Sequence, residues 1–215
     1  AVFTRQEIKI LLSLPDESYE TGLRDKVLLS FMYATGARAQ EICDLKVRDL
    51  RIDANSASVT LTGKGSKTRQ VGIAERLVGT LQSYIKHRHI ELFPNRHIFS
   101  SQTHEQMTIS CVEGIYKKYV TLAKKSNPGL FLADSYPPHS MRHSTACHLL
   151  EAGVDIVTIK NILGHVSLQT TQIYAEISQN TVDQKLREWN ETGFGENKKI
   201  EMKKSVNVPD FLRKR

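Results

Sequence analysis

The amino-acid sequence predicts a mostly helical protein with one small antiparallel β-sheet inserted early in the chain. Apolar residues recur at helical spacing over most of the 215 residues. Strict alternation of apolar and polar residues is confined to two short stretches, at about residues 57–62 and 70–73. The turn between these stretches is rich in glycine and cations, so we predict a β-hairpin with a positively charged tip.

The first helices of the predicted fold have clear start and stop signals. Thr4 followed by Glu7 is a capping-box pattern, and apolar residues at helical spacing follow it directly. Residues 24–35 are typical of a buried helix, which Gly36 is expected to end. A short helix over residues 37–45 comes next, and residues 51–53 are a candidate third strand.

The remainder of the chain returns to the helical period. The Pro137-Pro138 pair marks a loop, and Gly153 and Gly164 each follow a predicted helix. The predicted helices lie at about residues 77–85, 112–122, 140–152 and 156–163, in a segment containing Tyr174, and at 181–189. Residues 193–215 are polar and lysine-rich, with a small apolar group at 208–212.

Composition limits the function classes. Thirty lysines and arginines against 23 aspartates and glutamates give a formal net charge of +7, which favours a polyanionic partner such as nucleic acid. The three scattered cysteines fit reduced thiols in a cytoplasmic protein better than a disulfide framework. No apolar run is long enough to span a membrane, so we expect a cytoplasmic protein.

Two pairs of polar residues lie at predicted helix starts. The spacing of Arg38 and Glu41 fits an exposed helical ion pair. It also fits an arginine that points out of the helix start and is oriented by the glutamate. His139 and Arg142 share one face at a helix N-terminus, where free N–H groups favour phosphate. His139 and His143 have the HxxxH spacing of a zinc site, but Ser140 stands where that motif needs glutamate, so we predict no metal.

Three further residues are unremarkable alone. Lys64 lies between two glycines at the hairpin tip, which gives its backbone unusual freedom. His165 follows a helix-ending glycine, and Tyr174 lies nine residues further along the chain.

Taken together in chain order, these residues resemble the tyrosine recombinase, or phage integrase, family. The resemblance extends over about residues 4–180. The matching stretches are YATGARAQE at 33–41, GKGSKTR at 63–69, HSMRH at 139–143, LGH at 163–165 and TTQIY at 170–174. Ala37 departs from the family's more frequent Leu or Met. The resemblance implies a tyrosine recombinase or type IB topoisomerase-like catalytic fold over residues 1–180, and residues 181–215 form a C-terminal helix and tail.

The resemblance also implies a mechanism, in which Tyr174 attacks a DNA phosphate and forms a covalent 3′-phosphotyrosine. Arg38 and Arg142 would clamp the non-bridging oxygens, with Glu41 orienting Arg38. Lys64 would protonate the leaving 5′-oxygen. His139 would accept the tyrosine proton or hold a phosphate oxygen, and His165 would donate a hydrogen bond to the phosphate. Further DNA contacts are expected from Lys67, Arg69 and His143. No metal or other cofactor is expected, since the cationic side chains supply the charge.

The family further implies double-stranded DNA as partner and a tetrameric synapse on it. The C-terminal segment is expected either to dock on a neighbouring subunit or to be a disordered tail. We expect an N-terminal core-binding domain, usual in the family, to be absent from this chain, either because it was removed or because it is naturally missing. The residues in these motifs favour a protein of a bacterial mobile element, which would act in integration and excision or in transposition.

Two alternatives remain open. A type IB topoisomerase would use the same nucleophile to relax supercoils without a specific site. A non-catalytic DNA-binding module would use the basic surface alone, although binding has no use for a tyrosine beside this set of cations.

Overall fold

A computed structural model describes residues 1–164 and residue 187 of the chain, except for the side chain of Lys64. The predicted class, mostly helical with a small antiparallel sheet, is confirmed. The helices are α1 (Arg5–Ser13), α2 (Glu20–Thr35), α3 (Ala39–Asp44), α4 (Glu75–His87), α5 (Ile109–Ser126), α6 (His139–Glu151) and α7 (Ile156–Leu163); the strands are β1 (Leu50–Ile52), β2 (Ala57–Thr62) and β3 (Thr68–Gly72). The predicted helix around Tyr174, the predicted helix at 181–189 apart from residue 187, and the tail lie outside the described residues. None of the described helices has the length and apolar character needed to cross a membrane.

Helix α1 begins with the capping box that the sequence predicts. The Thr4 side chain accepts from the Glu7 backbone N–H at 3.2 Å, and the Glu7 carboxylate accepts from the Thr4 N–H at 2.7 Å. Glu7 is buried and also accepts from the N–H of Phe131 at 2.5 Å. One carboxylate therefore caps α1 and ties it to the loop ahead of α6.

The sheet has the order β1-β2-β3, and both pairings are antiparallel. Val59 lies opposite Val71, and Thr62 opposite Thr68, so the predicted hairpin is confirmed. Val59, Leu61 and Val71 are buried, which places one face of the sheet against the core. At the hairpin tip Gly65 has φ +73°, a conformation that favours glycine.

The main core is built around α2. Leu28, Leu29 and Phe31 have no exposed surface, and Phe31 meets the Phe99 ring edge-on. Helix α2 ends at Gly36, whose left-handed conformation (φ +59°) turns the chain directly into α3. Helix α6 packs against α2, and α7 packs against α6 and β3. The end of α2, the starts of α3 and α6, the end of α7 and the hairpin therefore meet in one region.

Candidate active site

Arg38 is held at the first turn of α3 by Glu41. The Arg38 backbone N–H donates to Oε2 of Glu41 at 2.7 Å, and its Nη1 donates to Oε1 at 3.1 Å. The side chain of Arg38 is 39% exposed, whereas that of Glu41 is 1% exposed. The orienting role expected of Glu41 therefore has the geometry it needs: a buried carboxylate directs a guanidinium that still reaches solvent.

A second arginine shares the Glu41 carboxylate. Arg69 on β3 bonds Oε1 through Nη1 and Oε2 through Nη2, the latter at 2.8 Å, and its Nε donates to the carbonyl oxygen of Ile162 at 2.7 Å. The Arg69 side chain is 11% exposed. The sequence predicts a DNA contact for Arg69, whereas the structure turns its guanidinium inward, onto Glu41 and the end of α7.

The carboxylate of Glu41 is stabilised in its charged form. Burial raises the pKa of Glu41, but the hydrogen bonds and charges of Arg69 and Arg38 outweigh burial, so its pKa lies below the ordinary value. A buried carboxylate is stable only with such partners.

Arg142 reaches the same region from the first turn of α6. Its Nη1 donates to the carbonyl oxygen of Gly36 at 2.5 Å, and its Nη2 donates to the carbonyl oxygens of Leu163 and Gly164, the latter at 3.3 Å. Nη2 of Arg38 donates to the same Gly164 oxygen at 3.1 Å. The structure thus brings Arg38 and Arg142 together on a single oxygen atom, an arrangement that suits the binding of a phosphate oxygen.

The meeting of these arginines depends on a close approach of two helix ends. A Cβ built on Gly36 would lie 2.3 Å from Cδ2 of Leu163, so a larger residue would have to displace the Leu163 side chain, and the φ of +59° also favours glycine here. Gly164 follows with φ +62°, and its Cβ position is 3.0 Å from Cδ of Arg69. The sequence marks Gly36 and Gly164 as helix stops, but it does not show that Gly36 leaves space for Leu163 and Gly164 leaves space for Arg69.

His139 and His143 lie on the same turn of α6 as Arg142. His139 is the first residue of the helix and is exposed. His143 is half-buried; burial and the nearby positive charges of His139, the chain N-terminus and Arg142 lower the pKa of its imidazole. Within residues 1–164 no three histidine, cysteine or acidic side chains come together as a metal site would require.

The hairpin brings its glycine-rich tip to the same region. Lys64 starts a short 3₁₀ turn between β2 and β3, and Lys67 is exposed. The Cβ position of Gly63 is 3.3 Å from Oε1 of Glu41, so the backbone just ahead of Lys64 lies against the carboxylate that orients Arg38. His165 and Tyr174, the remaining predicted site residues, lie outside the described residues.

Comparisons with known proteins identify the family of the chain. The model of the phage integrase family matches residues 1–181. Tyrosine recombinase XerC of Chlamydia caviae is 36% identical over 178 residues, which cover 81% of this chain and 54% of the relative. Tyrosine recombinase XerA of Pyrococcus horikoshii is 33% identical, with 81% and 56% covered. The chain thus spans about half the length of these curated relatives.

Solved structures share the fold. The crystal structure of XerA recombinase superposes with a TM-score of 0.67 at 28% identity and covers 86% of this chain and 64% of that one. XerH recombinase in a pre-cleavage complex with its difH substrate has a TM-score of 0.67 at 23% identity, covering 81% and 49%. On the match of its sequence over residues 1–181, the chain belongs to the phage integrase family of tyrosine recombinases.

Proposed function

We propose that this chain is the catalytic part of a site-specific DNA recombinase, which breaks and rejoins DNA strands through a covalent 3′-phosphotyrosine at Tyr174. The observation that carries the proposal is the convergence of Arg38 and Arg142 on one oxygen, at 3.1 and 3.3 Å. Two guanidiniums at one point stabilise the negative charge that develops on phosphorus-bound oxygens when a phosphodiester is attacked.

The proposed step is a transesterification. The Tyr174 oxygen forms a bond to phosphorus while the bond from phosphorus to the 5′-oxygen breaks. His139, exposed at the start of α6, accepts the tyrosine proton or holds a phosphate oxygen, and Lys64 on the hairpin donates a proton to the leaving oxygen. His165 donates a hydrogen bond to the phosphate. A 5′-hydroxyl reverses the step and rejoins the strand, so the phosphate bond energy is conserved in the intermediate.

The partners proposed are double-stranded DNA and further copies of this chain in a tetrameric synapse. Lys67 and His143 would contact DNA beside the phosphate held by Arg38 and Arg142. XerH, whose fold the chain shares, was solved with its difH DNA substrate, which supports a DNA partner. Docking of residues 208–212 on a neighbouring subunit remains part of this proposal.

Integration and excision of a mobile element is the proposed biological use. The fold likeness to the Tn1549 transposon integrase, solved with circular intermediate DNA (TM-score 0.64, 23% identity), supports it. The curated relatives named above are Xer recombinases, so recombination at a fixed chromosomal site is the second candidate. A recognised sequence at the ends of a mobile element would support the first use, and one that occurs once per chromosome would support the second.

The test is a search for a covalent adduct. The chain is incubated with a pool of nicked duplexes whose flanks are randomised, and the DNA in SDS-resistant protein adducts is sequenced. We expect an enriched sequence whose adduct forms in EDTA and disappears in Tyr174→Phe. If no adduct forms with the pool or with any duplex drawn from the source genome, the nucleophile assignment is wrong and a DNA-binding module becomes the better description.

A further inference from the structure

Arg69 makes contacts that phosphate binding does not explain. It lies on β3, five residues after Lys64, and its side chain is 11% exposed. Each of its three guanidinium nitrogens has a protein acceptor: Nε the Ile162 carbonyl, and Nη1 and Nη2 the two oxygens of Glu41. A guanidinium engaged in this way would have to break buried, charge-assisted bonds before it could reach a DNA phosphate.

These bonds join three parts of the site that are distant in sequence. Glu41 belongs to α3 and holds Arg38 through two bonds, at 2.7 and 3.1 Å. Ile162 belongs to the last turn of α7, which leads to Gly164, the residue whose oxygen Arg38 and Arg142 share. Arg69 itself belongs to the hairpin whose tip carries Lys64.

The geometry points to Arg69 as a positioning residue for strand cleavage: it fixes the Glu41 carboxylate so that Glu41 can orient Arg38, and it locks the Lys64 hairpin to the end of α7. This inference rests on the proposed function, because it concerns the same reaction. Arg69 does not touch DNA in this scheme; it acts through Glu41 and through the backbone on either side of it. A bidentate fork is needed, since two carboxylate oxygens and one carbonyl oxygen are held at once.

Glu41 gives the inference a pH signature. The charged groups that act on Glu41 are Arg69, whose hydrogen bond opposes burial most, and Arg38. Removing the charge of Arg69 leaves the carboxylate buried with one partner, so its pKa rises and it protonates at higher pH. A protonated Glu41 holds Arg38 less firmly, and the acid limb of the cleavage rate therefore moves to higher pH.

The experiment compares Arg69→Gln, Arg69→Lys and wild type on the duplex enriched in the adduct search. Arg51→Gln is the matched control, because Arg51 lies on the same sheet but pairs with Asp53 at the surface, with 73% of its side chain exposed. Single-turnover adduct formation is followed across pH, and DNA affinity is measured across salt concentrations. Circular dichroism melting checks that each variant is folded.

We expect Arg69→Gln to slow adduct formation by about 10- to 100-fold, the range that a misplaced catalytic group produces. Its affinity for DNA and the salt dependence of that affinity should match wild type, and its acid limb should move to higher pH. Arg69→Lys should move the acid limb less than Arg69→Gln does, because the charge remains although the two-point hydrogen bond to Glu41 is lost, and it should cleave more slowly than wild type. Arg51→Gln should cleave at the wild-type rate.

Several results would overturn the inference. Wild-type cleavage by Arg69→Gln would show that the link to Glu41 is unnecessary. A fall of about one in the slope of log affinity against log salt would make Arg69 a phosphate contact after all. If Arg69→Gln does not fold, Arg69→Lys decides alone, and a wild-type rate in it rejects the role. A wild-type protein that forms no adduct refutes the proposed function instead, before any Arg69 variant is compared.

Discussion

Replacing Glu41 with glutamine measures how strongly the site is held together by one buried charge. The Glu41 side chain is 1% exposed and accepts from the backbone of Arg38 and from the guanidiniums of Arg38 and Arg69. Glutamine has nearly the same shape but no charge. Its NH₂ group replaces a carboxylate oxygen that accepted hydrogen bonds, so one arginine N–H then faces another donor. The variant therefore leaves the Arg69 guanidinium buried without a counter-charge.

The expected loss follows from the exposure of each partner. Removing one member of a buried ion pair costs about 3–5 kcal/mol, whereas an exposed pair contributes at most about 1 kcal/mol. Arg69 is 11% exposed, so its pair with Glu41 counts as buried, whereas Arg38 is 39% exposed and its pair contributes little to the free energy of unfolding. Because glutamine retains one acceptor, we expect about 3 kcal/mol, which lowers the melting temperature by about 6–12 °C in a protein of this size.

Urea unfolding at pH 7, followed by circular dichroism, gives the free-energy difference. The matched control is Asp53→Asn, which breaks the exposed pair with Arg51 (3.0 Å) and should cost less than about 1 kcal/mol. The folded pKa of Glu41 lies below its ordinary value of 4.5, so its stabilisation is complete above that pH and is lost as the pH falls through the folded pKa. The reasoning is refuted if Glu41→Gln is no less stable than Asp53→Asn at pH 7.

Three further predictions concern stability and reactivity. Gly36→Ala should lower the free energy of unfolding by about 1–3 kcal/mol in urea, because alanine is strained at φ +59° and its Cβ meets an α7 side chain; a wild-type value would contradict the close approach. Burial raises the pKa of the Cys43 and Cys147 thiols to about 11, so Ellman's reagent should react first with Cys111, and Cys111→Ser should lack the fast phase. Burial also lowers the pKa of His148 below 6.5, so its contribution to stability is complete above that pH and is lost as the pH falls through its folded pKa. The melting temperature of His148→Gln should therefore depend less on pH in this range than that of wild type. An unchanged pH dependence would contradict the lowered pKa of His148.

Local interactions made much of the fold predictable. The capping box of Thr4 and Glu7 acts over three residues, and the alternation around residues 57–73 reports directly which face of the hairpin is buried. Gly36 was recognisable because the left-handed turn that ends a helix favours glycine. In each case the residues that decide the structure are neighbours in sequence.

The parts that could not be predicted depend on contacts between distant segments. The sequence shows that Arg69 is a cation near a hairpin tip, but its direction is set by Glu41, 28 positions earlier, and by Ile162, 93 positions later. In the absence of those contacts a cationic hairpin residue is expected to face DNA. Likewise, nothing in the sequence around Gly164 indicates that its carbonyl oxygen lies between two arginines.

That shared oxygen has a consequence for how tightly the proposed site would bind a DNA phosphate. An arginine side chain carries about 2 kcal/mol of rotamer entropy, which a ligand must overcome when it immobilises a flexible side chain. Here Glu41 and the Gly164 carbonyl already fix the Arg38 guanidinium, and the carbonyls of Gly36, Leu163 and Gly164 fix that of Arg142. This entropy is therefore lost when the chain folds and not when a phosphate arrives. A phosphate that replaces the carbonyl would then gain charge–charge attraction without having to immobilise the two arginines. The entropy cost avoided on binding is up to about 2 kcal/mol for each arginine.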